Sequence, residues 1–329
     1  MSNSSKNSLT DTPKKKVRKL TLERTDDPNL ATIDLDEVTS LLLNSHKTYN
    51  GRQYLNGVDF HYVLPSDKPE FARLTLSYIL RKHLWKKNFC SPIEEKLNMG
   101  ATIIDIGCGG GLWVIDMGLE YPSSTFIGID IDASNFPSRD RYPSNVCFLT
   151  CNVTHGVPFP PNIFDFVHIS MMWCAFSEPQ WISLIKELVR ILKYDGWIEF
   201  VQPNPCSKNP GKVEKLLFES ASKACMEIKG VNISIYETIP KYLEAIDELD
   251  EINCVTIDYP VGDLYGCFGK YALENIKRIY ESFVFLPKYM EISNEDYNNL
   301  LNKFSKEANE SKSSWEIYRY FAKKVQITN

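Results

Sequence analysis

Two kinds of segment that decide where a protein resides are missing from this sequence. No run of apolar residues approaches the roughly 20 that a helix needs to cross a bilayer. The N-terminus also lacks the apolar stretch of a secretory signal. We therefore expect no membrane association and a cytoplasmic location.

The cysteines and histidines of the chain do not have the spacing of metal ligands. The chain holds nine cysteines and five histidines, yet no Cys-x-x-Cys pair occurs and no pair of histidines lies near a cysteine. A structural zinc site, or any other metal site, is therefore not expected. Cys108, Cys147, Cys151 and Cys174 fall among apolar residues, which predicts small buried side chains in a reducing compartment.

Acidic residues outnumber basic ones, and the charge is unevenly distributed. The net charge is −5, but residues 1–20 carry six basic side chains against Asp11 alone. This tail has a net charge of +5, which leaves −10 on the remainder. An acidic body is a poor general partner for nucleic acid, whose binding depends on neutralising phosphates. We therefore do not expect a nucleic-acid substrate.

The first thirty-three residues have no apolar period, which predicts a disordered basic tail over 1–33. Within it, Pro13–Lys19 resembles a short nuclear-import signal, although such runs also occur in ordinary solvated tails. Nuclear import therefore stays open beside a cytoplasmic location. The folded domain is expected over 34–329, beginning with a short helix at 34–43.

From residue 100 onward, short apolar segments alternate with helical ones. The predicted strands are 101–106, 125–131, 146–151, 164–170 and 196–202, with helices between them at 112–121 and 179–192. Strands joined by helical crossovers predict an α/β, Rossmann-like fold with a doubly wound sheet. Such sheets bind ligands beyond the carboxyl ends of their strands.

Helices are expected to cover this cofactor half, which spans about 100–202. The cover comes from 34–99 and 203–310, and its predicted helices are 68–87, 211–228, 236–249, 264–285 and 293–309. Two further strands, at 253–259 and 314–325, bring the sheet to seven strands. The C-terminal part therefore combines helical insertions with the last strands of the sheet.

The first of these strands runs into a glycine-rich turn, Asp105-Ile106-Gly107-Cys108-Gly109-Gly110-Gly111. Without a Cβ, glycine lets the backbone turn sharply and approach a ligand. Free amides at the start of the next helix can bind polar groups of a cofactor. Methyl-donor and nicotinamide enzymes both use such a loop, but the strict Gly-x-Gly-x-x-Gly spacing would need a glycine where Leu112 stands.

Asp130 stands at the end of the second predicted strand. A carboxylate at this place can accept hydrogen bonds from both ribose hydroxyls of a bound nucleotide. Both classes of cofactor carry a ribose, so Asp130 does not separate them.

The stretch from Asn152 to Asp165 does separate the two classes. Cys151-Asn152-Val153 ends the third strand, and Val157-Pro158-Phe159-Pro160 leads to Phe164-Asp165. This pattern resembles class I S-adenosylmethionine-dependent methyltransferases, in which an acid or amide at this place contacts the adenine. Aspartate is more common there than the asparagine of this chain.

Over residues 49–324 the chain resembles a fungal family of methyltransferases related to regulators of secondary metabolism. The strings that carry the resemblance are Arg52-Gln53-Tyr54, Pro65-Ser66-Asp67, the glycine loop and Val157-Pro158-Phe159-Pro160. The resemblance implies S-adenosylmethionine as cofactor and methyl transfer as reaction. It implies little about the acceptor.

Carried over by position, the resemblance assigns Asp105, Gly107 and Gly109 to the methionine part of the cofactor. It assigns Asp130 to the ribose.

The same resemblance assigns Asn152 and Val153 to the adenine. Ser170 would border the transferring methyl group, at a place where family members often have arginine. Tyr54 is expected either to close over the cofactor or to pack in the core.

Nothing in the sequence identifies a catalytic base. His168 lies nearest to the predicted site, but it stands within an apolar strand and is interpreted as a structural side chain. Met171, Met172, Trp173 and Phe176 indicate either an apolar wall for the acceptor or core packing. The acceptor is expected to be a small molecule or a protein, and the oligomeric state is not indicated.

A cluster of basic residues, Arg81, Lys82, Lys86 and Lys87, ends the predicted helix 68–87. It suits the negative pole of a helix, and this interpretation is preferred to a phosphate site.

Two other functions stay open. The chain could be a regulatory protein that binds the methyl donor without robust catalysis, which the departures at Asn152 and Ser170 favour. It could also be an NAD(P)-dependent oxidoreductase on the same fold, although this function does not explain Val157–Pro160 followed by Asp165.

Overall fold

The computed structural model describes residues 46–57 and 61–327. The predicted tail 1–33, with its basic segment Pro13–Lys19, and the predicted helix 34–43 lie outside the described residues. The domain boundary at residue 33 therefore stays a prediction.

The described part contains nine strands, of which β3 to β9 follow the predicted order. They are β1 His46–Tyr49, β2 Arg52–Leu55, β3 Thr102–Ile106, β4 Thr125–Asp130, β5 Val146–Thr150, β6 Phe164–Ser170, β7 Leu192–Asn204, β8 Leu249–Pro260 and β9 Ser314–Lys324. β1 and β2 form a hairpin of their own, and the others form one sheet.

Helices lie between and after these strands. They are α1 Lys68–Trp85, α2 Glu94–Met99, α3 Leu112–Glu120, α4 Glu178–Ile191, α5 Lys212–Lys229, α6 Ile239–Glu244, α7 Gly266–Ser282, α8 Leu286–Tyr289 and α9 Asn294–Glu310. Among the residues that the structure describes, no helix is long and apolar enough to span a membrane.

The seven-stranded sheet has the order β5-β4-β3-β6-β7-β9-β8. The strands from β5 to β7 are paired in parallel, whereas β9 pairs antiparallel with both β7 and β8. The prediction of an α/β fold with a doubly wound seven-stranded sheet is confirmed. Because the chain leaves β3 toward β4 on one side and reaches β6 on the other, a crevice opens at the carboxyl end of β3.

The central parallel strands β3, β4 and β6 are largely buried on both faces, which explains their continuous apolar character. On one face Ile103, Phe126 and Phe166 pack with Trp113 of α3. On the other face a larger apolar cluster joins the sheet to α4 and to the helices after β7. The sheet therefore holds the ends of β3, β4 and β6 in fixed positions.

α1 is anchored at its start by Asp67. The Asp67 carboxylate accepts a hydrogen bond from the Glu70 amide at 3.0 Å, as an N-cap residue does. It also accepts from Arg52 Nε of the hairpin at 2.6 Å. The hairpin and α1 are thus joined at one carboxylate.

Three details differ from the sequence-based expectations. The hairpin β1–β2 was not predicted, although its turn is Asn50-Gly51, with φ values of 48° and 74° that suit a two-residue hairpin turn. The predicted helix 236–249 is reduced to a single turn and the short α6. Cys147 is exposed and not buried, because β5 is an edge strand.

Candidate active site

A cavity lies at the carboxyl ends of β3, β4 and β6, beneath α1. Seven of the predicted site residues line it: Asp105, Gly107, Gly109, Asp130, Asn152, Val153 and Ser170. We call the part near β4 and β5 the outer end, which contains Asp130, Asp132 and Asn152. The inner end lies under the last turns of α1 and contains Arg81, Asp105, His168 and Arg319.

The glycine loop forms the floor of the cavity. Gly107 has a φ of +68°, a left-handed conformation that favours glycine. A Cβ on Gly107 would lie 2.4 Å from the sulfur of Met172. The loop therefore needs glycine both for its turn and for the close approach of a neighbouring side chain.

Asp130 is held by backbone amides at the outer end. Its Oδ2 accepts from Gly109 N at 2.8 Å, and its Oδ1 accepts from Asp132 N at 2.9 Å. Burial raises the pKa of this carboxyl to about 6, although both amides work in the opposite direction. A half-buried carboxylate in this position can accept further hydrogen bonds from ligand hydroxyls.

Asn152 caps a single helical turn over Val153–His155. Its Oδ1 accepts from Thr154 N at 3.1 Å and from Thr154 Oγ1 at 2.7 Å. Its Nδ2 donates to no described residue, so an amide donor remains for a ligand edge. Val153 beside it is buried and can pack against a flat ring.

Asp105 and His168 form a hydrogen-bonded pair across β3 and β6. His168 Nδ1 lies 2.7 Å from Asp105 Oδ1, and the indole of Trp113 stacks on the imidazole at 3.9 Å. Burial raises the pKa of Asp105, although the charge and hydrogen bond of His168 act against this rise. The imidazole thus has a structural partner, in line with its interpretation from the sequence, and it also lines the cavity.

An apolar wall follows the end of β6. Met171, Met172 and Phe176 line the cavity there, as do Leu55 of the hairpin and Tyr62. Ser170 stands at the foot of this wall. The alternative interpretation, core packing, holds in part. Trp173 is buried in the core and does not line the cavity, and Phe176 also packs against the buried indole of Trp181.

Tyr54 does not line the cavity. Its hydroxyl donates to the carbonyl of Ser282 on α7 at 2.9 Å. Neighbouring side chains of a strand point to opposite faces, so Leu55 and not Tyr54 borders the cavity. Of the two predicted roles, the structure favours packing over closure on the cofactor.

The inner end contains two arginines that were not predicted as site residues. Arg81 comes from α1 and Arg319 from β9. Arg81 shares one face of α1 with Phe71, Leu74 and Tyr78, which also line the cavity. This helical spacing is a signal that the sequence contains, whereas nothing local marks Arg319.

Comparison with known proteins gives the family. Residues 103–196 match the family described as "Methyltransferase domain", a range that holds the glycine loop, Asp130, Asn152 and Ser170. Methyltransferase str2 of Strobilurus tenacellus is 29% identical over 210 residues, 62% of this chain and 72% of the relative. This chain carries a methyltransferase domain and is an S-adenosylmethionine-dependent methyltransferase. It uses S-adenosylmethionine to methylate an acceptor.

Further relatives of this methyltransferase are also fungal. Methyltransferase pytC of Aspergillus terreus is 30% identical over 180 residues, and the chain spans 52% of that protein. The secondary metabolism regulator laeA of Aspergillus niger is 30% identical over 158 residues, covering 47% of this chain and 39% of the regulator.

A solved structure also aligns with this chain at low similarity. The phosphoethanolamine N-methyltransferase 2 of Haemonchus contortus, crystallised with S-adenosyl-L-methionine, aligns with a TM-score of 0.47 and 17% identity. The alignment covers 79% of this chain and 59% of that one.

Proposed function

We propose that the cavity binds S-adenosylmethionine with its adenosine at the outer end. Asp130 accepts the ribose hydroxyls, and Asn152 and Val153 hold the adenine. The amide hydrogen bonds that aim Asp130 at the cavity support this assignment. So does the unused Nδ2 donor of Asn152.

The glycine loop and Asp105 hold the methionine part in this proposal. The left-handed φ of Gly107 turns the chain, and the backbone of Gly109 is open toward the cavity, since no atom lies within 4 Å of where its Cβ would stand. Ser170 borders the methyl group. When bound, the cofactor supplies a methyl group on a sulfonium, which is activated already.

The remaining task of the protein is to hold the acceptor in line with that methyl group. Orientation alone supplies up to about 7–11 kcal/mol in favourable intramolecular models. The apolar wall of Met171, Met172 and Phe176 suits a small apolar or aromatic acceptor. The observation that carries this proposal is that the wall and the cofactor residues line one cavity.

Calorimetric titration with S-adenosylmethionine, S-adenosylhomocysteine and NADH tests the cofactor assignment. We expect both adenosyl ligands to bind and NADH not to bind. Incubation of a cell extract with methyl-labelled S-adenosylmethionine then tests the acceptor. Label in the small-molecule fraction supports the proposal, and label confined to protein or nucleic acid contradicts it.

A regulatory role is a second candidate, because relatives of this chain include proteins named as secondary metabolism regulators. It predicts tight binding of S-adenosylmethionine with no labelled product in any fraction.

The cytoplasm is the proposed location, with nuclear import through Pro13–Lys19 as the alternative. A fluorescent reporter fused to residues 1–22 distinguishes them, since nuclear enrichment requires a working signal.

A further inference from the structure

Besides His168, a second histidine lines the cavity. His61 precedes α1, and its side chain borders the cavity together with the neighbouring Tyr62. This stretch of chain is fixed beside the apolar wall, because Val63 N donates to the carbonyl of Cys174 at 3.1 Å. His61 therefore lies on the side of the cavity where the proposed function places the acceptor.

The ring of His61 is held in one tautomer. Its Nδ1 lies 2.5 Å from the carbonyl oxygen of Lys229, the last residue of α5. Because a carbonyl oxygen only accepts, Nδ1 carries the proton and donates. The lone pair of the neutral ring is then on Nε2, which makes no hydrogen bond with any residue that the structure describes. A free lone pair on a ring that lines a cavity is what a general base needs.

The two carboxylates at the start of α1 that line the cavity are already bound to arginines. Glu70 accepts from Nε and Nη2 of Arg73, and Asp67 accepts from Arg52 Nε at 2.6 Å. Both are therefore engaged as structural ion pairs. Of these described groups, none offers a free base or an unpaired negative charge to a cationic acceptor.

Tyr62 and His168 are also unsuited to take up a proton from an acceptor. Burial raises the pKa of the Tyr62 phenol well above its ordinary value, so this group stays protonated and donates. His168 is almost fully buried at the inner end, where its Nδ1 pairs with Asp105. Among the described side chains on the acceptor side, His61 is left as the group that can accept a proton.

The same surroundings indicate the chemistry of the acceptor. Met171, Met172 and Phe176 offer apolar contact, and the phenol of Tyr62 offers a hydrogen-bond donor. A neutral hydroxyl on an apolar frame fits this combination, since it needs no ionic partner. A hydroxyl is a weak nucleophile until its proton is removed, so such an acceptor also requires a base.

We infer that His61 is the catalytic base and that the acceptor is a neutral hydroxyl compound, a phenol, enol or alcohol on an apolar frame. The inference rests on the proposed function and deepens it by naming the acceptor class. The acceptor hydroxyl gives its proton to His61 Nε2 while its oxygen forms a bond to the methyl carbon. The bond from that carbon to the sulfonium sulfur breaks, and its electron pair stays on the sulfur of S-adenosylhomocysteine. The Lys229 carbonyl stabilises the imidazolium, and the half-buried ring then releases the proton to water.

His61→Asn tests this role. The asparagine amide can still donate to the Lys229 carbonyl, but it has no basic nitrogen. The full-length protein transfers label from methyl-labelled S-adenosylmethionine into the small-molecule fraction of a cell extract, and the initial rate is measured at saturating donor. We expect this rate to fall about 100-fold or more, because a positioned general base contributes about 10²–10⁴-fold. The affinity for S-adenosylmethionine, measured by calorimetry, should stay within about twofold.

Two further variants are controls. His83→Gln removes an exposed histidine of α1 that does not line the cavity, so it should change neither the rate nor the affinity. His61→Ala leaves space where the ring was, so added imidazole should restore part of the lost rate. No restoration would mean that the side chain acts through packing, which contradicts a base.

The atom that receives the methyl group tests the acceptor class. With an isotope-labelled methyl group, the NMR shift of the transferred carbon in the isolated product distinguishes a methyl group on oxygen from one on nitrogen, sulfur or carbon. We expect it on oxygen. A methyl group on any other atom overturns the hydroxyl acceptor.

Two other outcomes would overturn the role of His61. An unchanged rate in His61→Asn would mean that no proton passes through this ring, and a lost rate together with a lost affinity for S-adenosylmethionine would mean that His61 supports the fold. Absence of labelled product with the unmodified protein is a different result, because it overturns the proposed methyl transfer itself.

Discussion

The two ends of the cavity are built in different ways. At the outer end, Asp130 is oriented by the amides of Gly109 and Asp132, so neighbouring backbone alone fixes it. At the inner end, Arg81 and Arg319 come from a helix and a strand far apart in the chain, and they are surrounded by side chains. The outer end therefore depends on the loops of two neighbouring strands, β3 and β4, whereas the inner end depends on the assembly of the whole sheet.

Replacement of Glu199 should destabilise the inner end strongly. It is fully buried, its Oε2 accepts from Cys90 N, Ser91 N and Ser91 Oγ at 2.8 Å each, and Arg319 lies beside it. We expect Glu199→Ala to lower the free energy of unfolding by about 3–5 kcal/mol, since it leaves a buried charge and amides without partners. Urea denaturation followed by circular dichroism measures this loss.

A double variant tests how much of that loss of stability comes from the interaction between Glu199 and Arg319. Glu199→Leu combined with Arg319→Met removes both charges, so it should cost less than the sum of the two single changes. Additive losses would show that the two side chains do not stabilise each other.

Asp130→Ala tests the outer end with two ligands, S-adenosylmethionine and methylthioadenosine, which lacks the amino-acid group. We expect affinity for S-adenosylmethionine and for methylthioadenosine to fall together by about 100-fold, because both carry the ribose and each hydrogen bond to a charged group is worth about 1.5–3 kcal/mol. Calorimetry measures both affinities. Asp140→Ala, at an exposed acid of the following loop, should change neither.

Equal loss of affinity for both ligands is the result expected of a residue that contacts the ribose. If Asp130→Ala weakened S-adenosylmethionine and spared methylthioadenosine, the ribose assignment would be wrong.

The pH dependence of binding gives the smallest effect. Burial raises the pKa of Asp130 to about 6 in the free protein, and hydroxyl donors from a ribose favour its ionised form. The bound protein should therefore have the lower pKa, so that affinity for methylthioadenosine is constant above about pH 6 and falls by up to about tenfold per pH unit below it. Titrations between pH 5 and 8 measure this, and Asp130→Asn should remove the dependence.

The outer end could be predicted from the sequence because each of its groups stands at the end of a strand or shortly after it. Asp130 and Asn152 stand where strands end, and the glycine loop starts a helix. The local sequence pattern therefore marks the same residues whose chemistry suits a cofactor. The sheet was predictable for a related reason, since its apolar strands alternate with helical segments. The hairpin was not predicted, although Asn50-Gly51 is a sequence typical of a two-residue hairpin turn.

The inner end could not be predicted in this way. Arg81 looks like an ordinary helix-end cation, and only the placement of α1 over the sheet makes it line the cavity. Arg319 becomes part of the cavity through the pairing of β9 with β7, where it stands opposite Val201. The role of Tyr54 could not be predicted either. The alternation of side chains along β2, and not the residue type, makes Leu55 border the cavity.

The position of β9 has a consequence for how the molecule folds. β9 lies between β7 and β8, so β8 has no neighbour in the sheet until residues 314–324 are in place. Long-range pairing of this kind slows folding, because the chain between the strands must first be brought into a closed loop. A ribosome-bound chain that ends before β9 would hold two unpaired strand edges, β7 and β8, and exposed edges of this kind favour aggregation.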